Sequence, residues 1–297
     1  MRVALVGGTG FVGGYLTDAL LDAGHSVSTL VRPGSQQKLI RDGVQAVAGD
    51  LADRSALQEL ITGSDAVIYN VGLLREFPRR GITFEATQFQ GVVDTVECMK
   101  TTGVRRLLLM SAIGVKDPGT KYQSSKYRAE RFALESGLDA TVLRPSVIFG
   151  DPRGTMEFAT QLHRDMVRPP LPAVSFAGVR MSPVAATDVA DAFIAALARD
   201  DTIGKTIELA GPEILDWTTI VERVAAAVGR RKVLLPMPIW LMRIGATLFD
   251  WLPFYPVTRD QLTMLVEGNT APTAALRDLI GKPPQAMTPE ALAYLRR

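Results

Sequence analysis

Short apolar runs alternate with amphipathic stretches through the first half of the chain, and nothing else in the sequence constrains the fold as much. Val3–Val6 reads as a strand buried on both faces, and Val27–Val31, Val44–Ala48, Ala66–Tyr69, Arg106–Met110 and Ala140–Leu143 read as further strands. Between them, Val12, Leu16, Ala19, Leu20 and Ala23 recur at helical spacing. Ser35–Asp42 and Arg54–Ile61 read as short helices, and longer ones are expected over about 84–102 and 121–136. Each strand–helix–strand step has to cross over right-handed to rejoin its sheet, so the strands should lie parallel with helices on both faces.

That pattern predicts an α/β, doubly wound Rossmann sheet, with ligands at the carboxyl ends of its strands. After Gly150 the rhythm changes. Arg168-Pro-Pro-Leu-Pro172 reads as an extended linker, 183–197 as a strand end and a helix, and 206–209 as another short strand. The expected division is a nucleotide-binding core over 1–150, rejoined by about 180–210, and a small C-terminal lobe drawn mainly from 151–297.

The first strand breaks into Gly7-x-x-Gly10-x-x-Gly13, with Thr9, Phe11 and Val12 in the same turn and helix start. A strand, a glycine turn and a helix bring backbone N–H groups and the positive end of the helix dipole to one point, which suits a pyrophosphate. At the end of the second strand, where a carboxylate would select NAD, stands Arg32. Its forked donors suit a 2′-phosphate. Asp50 and Leu51 after the third strand can meet the adenine, and Asn70-Val71-Gly72 after the fourth would let backbone approach the cofactor.

Tyr122 and Lys126 are four residues apart, hence on one helical face. An ammonium beside a phenol favours phenolate, so the tyrosine pKa is expected to fall and make it a usable acid/base; the same lysine can reach the nicotinamide ribose. Ser111, closing the fifth strand, can hydrogen-bond a substrate carbonyl.

A net charge of +2, with no Lys/Arg cluster that reads as a nucleic-acid footprint, argues against nucleic acid. One cysteine, Cys98, excludes intrachain disulfides, and the first strand begins too early for a leader peptide, so a cytoplasmic location is expected, peripheral to the inner membrane at most. No stretch of 18 uncharged apolar residues suggests a membrane span. His25 and His163 lack companion carboxylates at ligand spacing, so no metal is expected. Asp188 and Asp191 read as helix-start residues. Pro236–Pro256 is the most apolar segment, with Trp240, Leu241, Phe249 and Trp251; it is read as lobe core, as a wall for an apolar substrate, or as a contact for a protein or membrane.

With these residues in place the chain resembles the short-chain dehydrogenase/reductase superfamily over nearly its whole length, through Gly7/Gly10/Gly13, Asp50, Ser111, Tyr122/Lys126 and Arg144-Pro-Ser-Val-Ile-Phe-Gly150. "LMSAIGV", "YQSSKYRAE" and "LRPSVIFGDPRG" look like the atypical branch related to the NAD(P)-binding alpha-subcomplex accessory subunit of respiratory complex I. The resemblance implies a bound nicotinamide dinucleotide, NADP(H) in preference to NAD(H), with Pro145 among its contacts. It does not imply turnover, because the complex I subunit holds its nucleotide structurally. Gln88 departs from the asparagine of many extended members, which puts a full catalytic tetrad in question. The leading expectation is an oxidoreductase for a small apolar carbonyl or quinone-like substrate, with a link to respiratory or ubiquinone metabolism. The alternatives are a non-catalytic accessory or assembly subunit and, by fold analogy alone, a sugar-nucleotide epimerase.

Overall fold

The computed structural model describes residues 1–32, 42–73, 75–240 and 259–297. The helix expected at Ser35–Asp42 and nearly all of the apolar segment 236–256 therefore lie outside the described residues. By contact density the chain forms two compact units, one of residues 1–144 with 189–208 and the other of residues 145–188 with 209–297.

The first unit is built on strands β1 (Arg2–Val6), β2 (Ser26–Val31), β3 (Val44–Ala48), β4 (Ala66–Tyr69), β5 (Arg106–Met110) and β6 (Asp139–Pro145), with Thr206–Leu209 at the edge beyond β6. Across the seven-stranded sheet the order is edge strand, β6, β5, β4, β1, β2, β3. Every neighbouring pair from β3 to β6 is parallel. The order reverses between β1 and β4, paired Val3 to Ala66 through Val6 to Tyr69, and the loops leaving these two strands flank the switch point.

Helices α1 (Phe11–Asp22), α2 (Arg54–Ile61), α3 (Gly91–Thr102) and α4 (Lys121–Glu135) cover the sheet. Their termini follow the local chemistry. Asp53 accepts from the N–H groups of Ser55 and Ala56 to start α2, and Thr120 forms a reciprocal capping box with Gln123 at α4. One core packs Leu57, Ile61, Val67, Val96, Met99 and Leu107 with their neighbours, all essentially inaccessible.

The long helix expected over 84–102 is two elements, not one. Glu85–Gln90 is π-helical, and the Gly91 N–H reaches back five residues to Ala86 O. The cause is Tyr69, whose hydroxyl donates to Thr87 O and takes the carbonyl an α-helical Gly91 would use. An added Cβ at Gly91 would stand 2.2 Å from that hydroxyl, so only glycine lets the two pack.

The second unit has its own core around Phe149, Phe176, Trp217, Ile220, Val224 and Leu292. Its strands are short pairs, Ile148–Phe149 with Val184–Ala185, Arg180–Met181 with Leu215–Asp216, and Ala173–Ser175 with Leu234–Pro236. Among the described residues no helix is long and apolar enough to cross a membrane.

Candidate functional site

The glycine turn divides its labour. Gly7 has φ +97°, and a Cβ there would lie 2.6 Å from Asn70 O. A Cβ on Gly13 would lie 2.2 Å from Gly7 O, so this glycine lets α1 press against the turn. Gly10, at φ −87°, would meet only Gly7 O, at 3.5 Å, an ordinary contact. The first two glycines are required by the fold, whereas Gly10 is open outward.

Gly10 is also the N-cap of α1, and no side chain caps this helix, nor is there a carboxylate in its first turn. The opening N–H groups of Phe11, Val12 and Gly13 thus stand at the positive end of the dipole without an acid of the chain to answer them. The turn itself is tied down. Thr29 on β2 donates to Leu5 O (2.6 Å) and accepts from the Gly8 N–H (3.2 Å). Thr9 is half-buried in the turn, and Phe11 stands edge-on to Tyr15.

Arg32 immediately follows β2, and its Nε lies 3.9 Å from Asp50 Oδ2, both side chains more than half exposed. Asp50 and Arg32 therefore belong to one solvated patch, while Leu51 packs onto the core beside Gly91. Asn70 and Val71 leave β4 against the turn, with Asn70 Nδ2 3.5 Å from Gly7 O; a Cβ added at Gly72, which follows, would lie 4.0 Å from Lys126 Nζ. Pro145 is buried at the end of β6 and is the first residue of the second unit.

Tyr122 and Lys126 lie on the first two turns of α4. The ammonium sits 5.9 Å from the Tyr122 ring centroid and donates to Met110 O at 3.1 Å. Lys126 is 6% exposed, and burial lowers its pKa to about 8, with the Glu130 charge opposing. The phenol behaves contrary to the sequence expectation. Desolvation pushes the Tyr122 pKa up, not down, because the apolar surround outweighs an ammonium held over the ring rather than at the oxygen. Phe84 stands edge-on to the same ring.

Ser111, at the carboxyl end of β5, is 5% exposed; its N–H bonds Leu143 O but its hydroxyl has no partner among the described residues. It shares a narrow recess with Tyr69, Val71, Gln88, Met110 and Lys126. Gln88, which stands where many extended members carry an asparagine, is held at both ends of its amide. Its carbonyl accepts from Ser125 Oγ (2.9 Å) and its amide donates to Leu73 O (3.0 Å). It braces the face of α4 between Tyr122 and Lys126.

Sequence reasoning missed the pair that holds α4. Arg144 forks onto Glu130, a carboxylate only 2% exposed. In sequence Glu130 looks like any helix-surface acid; only the arginine closing strand six hinted at a partner. Among the described residues no His/Cys/Asp/Glu group could hold a metal.

An uncapped helix start behind an open Gly10, an exposed arginine after β2, and an unpaired buried hydroxyl beside a buried lysine fit a nicotinamide dinucleotide and a carbonyl. Comparison with known proteins agrees at the family level. A model described as NAD(P)H-binding matches residues 7–201. The ceramide reductase of Caulobacter vibrioides is 28% identical over 84% of this chain and 78% of its own. Mitochondrial NADH dehydrogenase [ubiquinone] 1 alpha subcomplex subunit 9 of Arabidopsis thaliana is 28% identical over 78% of this chain; the match spans 60% of that longer protein. A nucleoside-diphosphate-sugar epimerase from Pseudomonas aeruginosa superposes with a TM-score of 0.76 over 98% of this chain and 95% of its own, at 18% identity, which speaks for the fold alone.

Proposed function

The chain belongs to the NAD(P)H-binding family, and from that premise we propose that it is an NADP(H)-dependent oxidoreductase for an apolar carbonyl or quinone-like substrate. The observation that carries this reading is Ser111. A buried hydroxyl without a partner costs about 1–3 kcal/mol, which a substrate carbonyl accepting from it would recover. The same recess presents Lys126, and the adjoining turn of α4 presents Tyr122.

The glycine turn and the start of α1 would hold the pyrophosphate, Arg32 the 2′-phosphate, and Lys126 the nicotinamide ribose. When bound, the nicotinamide supplies hydride to the carbonyl carbon. Ser111 donates to the carbonyl oxygen and orients it. Tyr122, kept protonated by its apolar surroundings, gives its proton to that oxygen as negative charge develops there.

Tyr122→Phe tests this directly. NADPH-dependent reduction of short-chain quinones and long-chain ketones should fall by about 10²–10⁴-fold, while the melting shift with NADPH is retained. A wild-type protein that binds NADPH and reduces neither class would instead support a non-catalytic nucleotide-holding subunit, and an unchanged rate in the variant would remove Tyr122 as the proton donor.

A further inference from the structure

Four cations of the second unit stand together without carboxylates to neutralise them. Arg168, Arg230, Arg231 and Lys232 have no ion-pair partner among the described residues; the nearby Asp165 is already taken by Arg164 at 2.6 Å. Two of the four serve as ties. Arg230 donates to Val167 O and Arg168 O, and Lys232 donates to Pro169 O and Leu171 O, which fastens the loop 168–172 to the strand 234–236. Arg168 and Arg231 remain exposed at the surface of this assembly. The positive field is felt locally, since His163 is held below its usual pKa by burial and then by Arg230 and Arg168.

Beside these charges the chain exposes aliphatic side chains. Leu171 is 70% accessible, Val233 66% and Leu235 51%. Val233 and Leu235 share a side for a simple reason. Leu234 pairs with the buried Ala173 and turns toward the core, so its neighbours Val233 and Leu235 turn outward by strand alternation. Lys232 holds the Leu171 carbonyl from the residue next to Val233. The loop and strand thus present bare leucines and valine beside cations that have no ion-pair partner among the described residues, followed in sequence by the exposed Trp240.

The geometry points to this edge as a docking surface for an anionic phospholipid bilayer. Basic side chains would face the lipid phosphates while Leu171, Val233 and Leu235 enter the headgroup boundary. A nucleic acid fits less well, because aliphatic side chains offer no stacking platform for bases. The proposal concerns the second unit alone and is independent of the catalytic reading.

Co-sedimentation of the full chain with vesicles tests it. Equimolar phosphatidylserine and phosphatidylcholine vesicles should bind the protein at low ionic strength and release it at high salt, and pure phosphatidylcholine should bind it far less. Each cation removed should weaken partitioning about fivefold, equivalent to ~1 kcal/mol. Arg168→Ala with Arg231→Ala should therefore cost roughly 25-fold, without a change in melting temperature because both side chains are exposed. Leu171→Ser with Val233→Ser should weaken binding while preserving its salt dependence. Equal binding to neutral vesicles, no binding to either, indifference to both double variants, or tighter binding to polyglutamate or single-stranded DNA than to the anionic vesicles would each overturn the proposal.

Discussion

Gly10 and Gly13 stand three residues apart in one turn, yet an added methyl would meet different surroundings at each. Gly13→Ala places a Cβ 2.2 Å from Gly7 O and 2.7 Å from the Gly8 backbone, so backbone must shift. A loss of about 1–3 kcal/mol or more is expected in chemical denaturation. Gly10→Ala meets an ordinary contact and should change stability by less than about 1 kcal/mol, while abolishing the melting shift with NADPH. A Gly10→Ala protein that binds nucleotide normally would show that the turn only turns. Lys126 offers a second test at this scale. Its pKa falls from the ordinary 10.5 to about 8, so between these values the unfolded chain carries a proton that the folded chain has released. The unfolded state then binds more protons, and stability rises with pH across the window. Denaturation curves taken from about pH 8 to 10 should show that rise in the wild type and lose it in Lys126→Met. At this scale the sequence displayed the residues but not their surroundings. Tyr122 and Lys126 were visible by spacing, whereas the rise of the phenol pKa follows from burial by residues distant in the chain.

At the scale of elements, the Arg144–Glu130 fork joins β6 to the helix that carries Tyr122 and Lys126. Arg144→Met would leave a carboxylate 2% exposed without its cation, a change that typically removes about 3–5 kcal/mol. Adding Glu130→Gln should restore much of it, because the stranded charge is the larger part of the loss. A single variant as stable as wild type in urea would show the pair to be incidental. The central strands were legible because burial on both faces writes continuous apolar runs into β1, β4 and β5, whereas β3 at the sheet edge is mostly exposed and was legible only from its place in the alternation. The short pairs of the second unit were mostly not, since two or three residues carry no periodicity. The π-helical turns of Glu85–Gln90 left no local mark either; they depend on one hydroxyl contributed from β4.

For the whole molecule, nucleotide binding and folding are one equilibrium. Ligand that binds only the folded chain, at about a hundred times its dissociation constant, adds about 2.7 kcal/mol to stability. If the forked arginine holds a 2′-phosphate, losing that pairing is worth about 1.5–3 kcal/mol, so NADPH should bind roughly ten- to a hundredfold more tightly than NADH. Thermal melts with equal concentrations of each should show the larger shift with NADPH, and Arg32→Asp should erase or reverse the difference. Equal shifts in the wild type would leave Arg32 as the solvated partner of Asp50. The family match was foreshadowed by the full alternation around the glycines, not by the glycines alone. The proposed preference for NADP(H) was less legible, because it would rest on one exposed side chain whose neighbour lies eighteen residues away in sequence.

The tie from Thr29 to the glycine turn has a consequence in time rather than in strength. A loop that must first fold around its guest makes arrival a two-stage event, with a lag set by the loop. Here the neighbouring strand already holds Leu5 and Gly8 through one hydroxyl, so the cradle stands ready before any guest comes. Capture then depends on encounter and orientation alone, and the lifetime of the complex, not the speed of its making, is where one nucleotide is told from another.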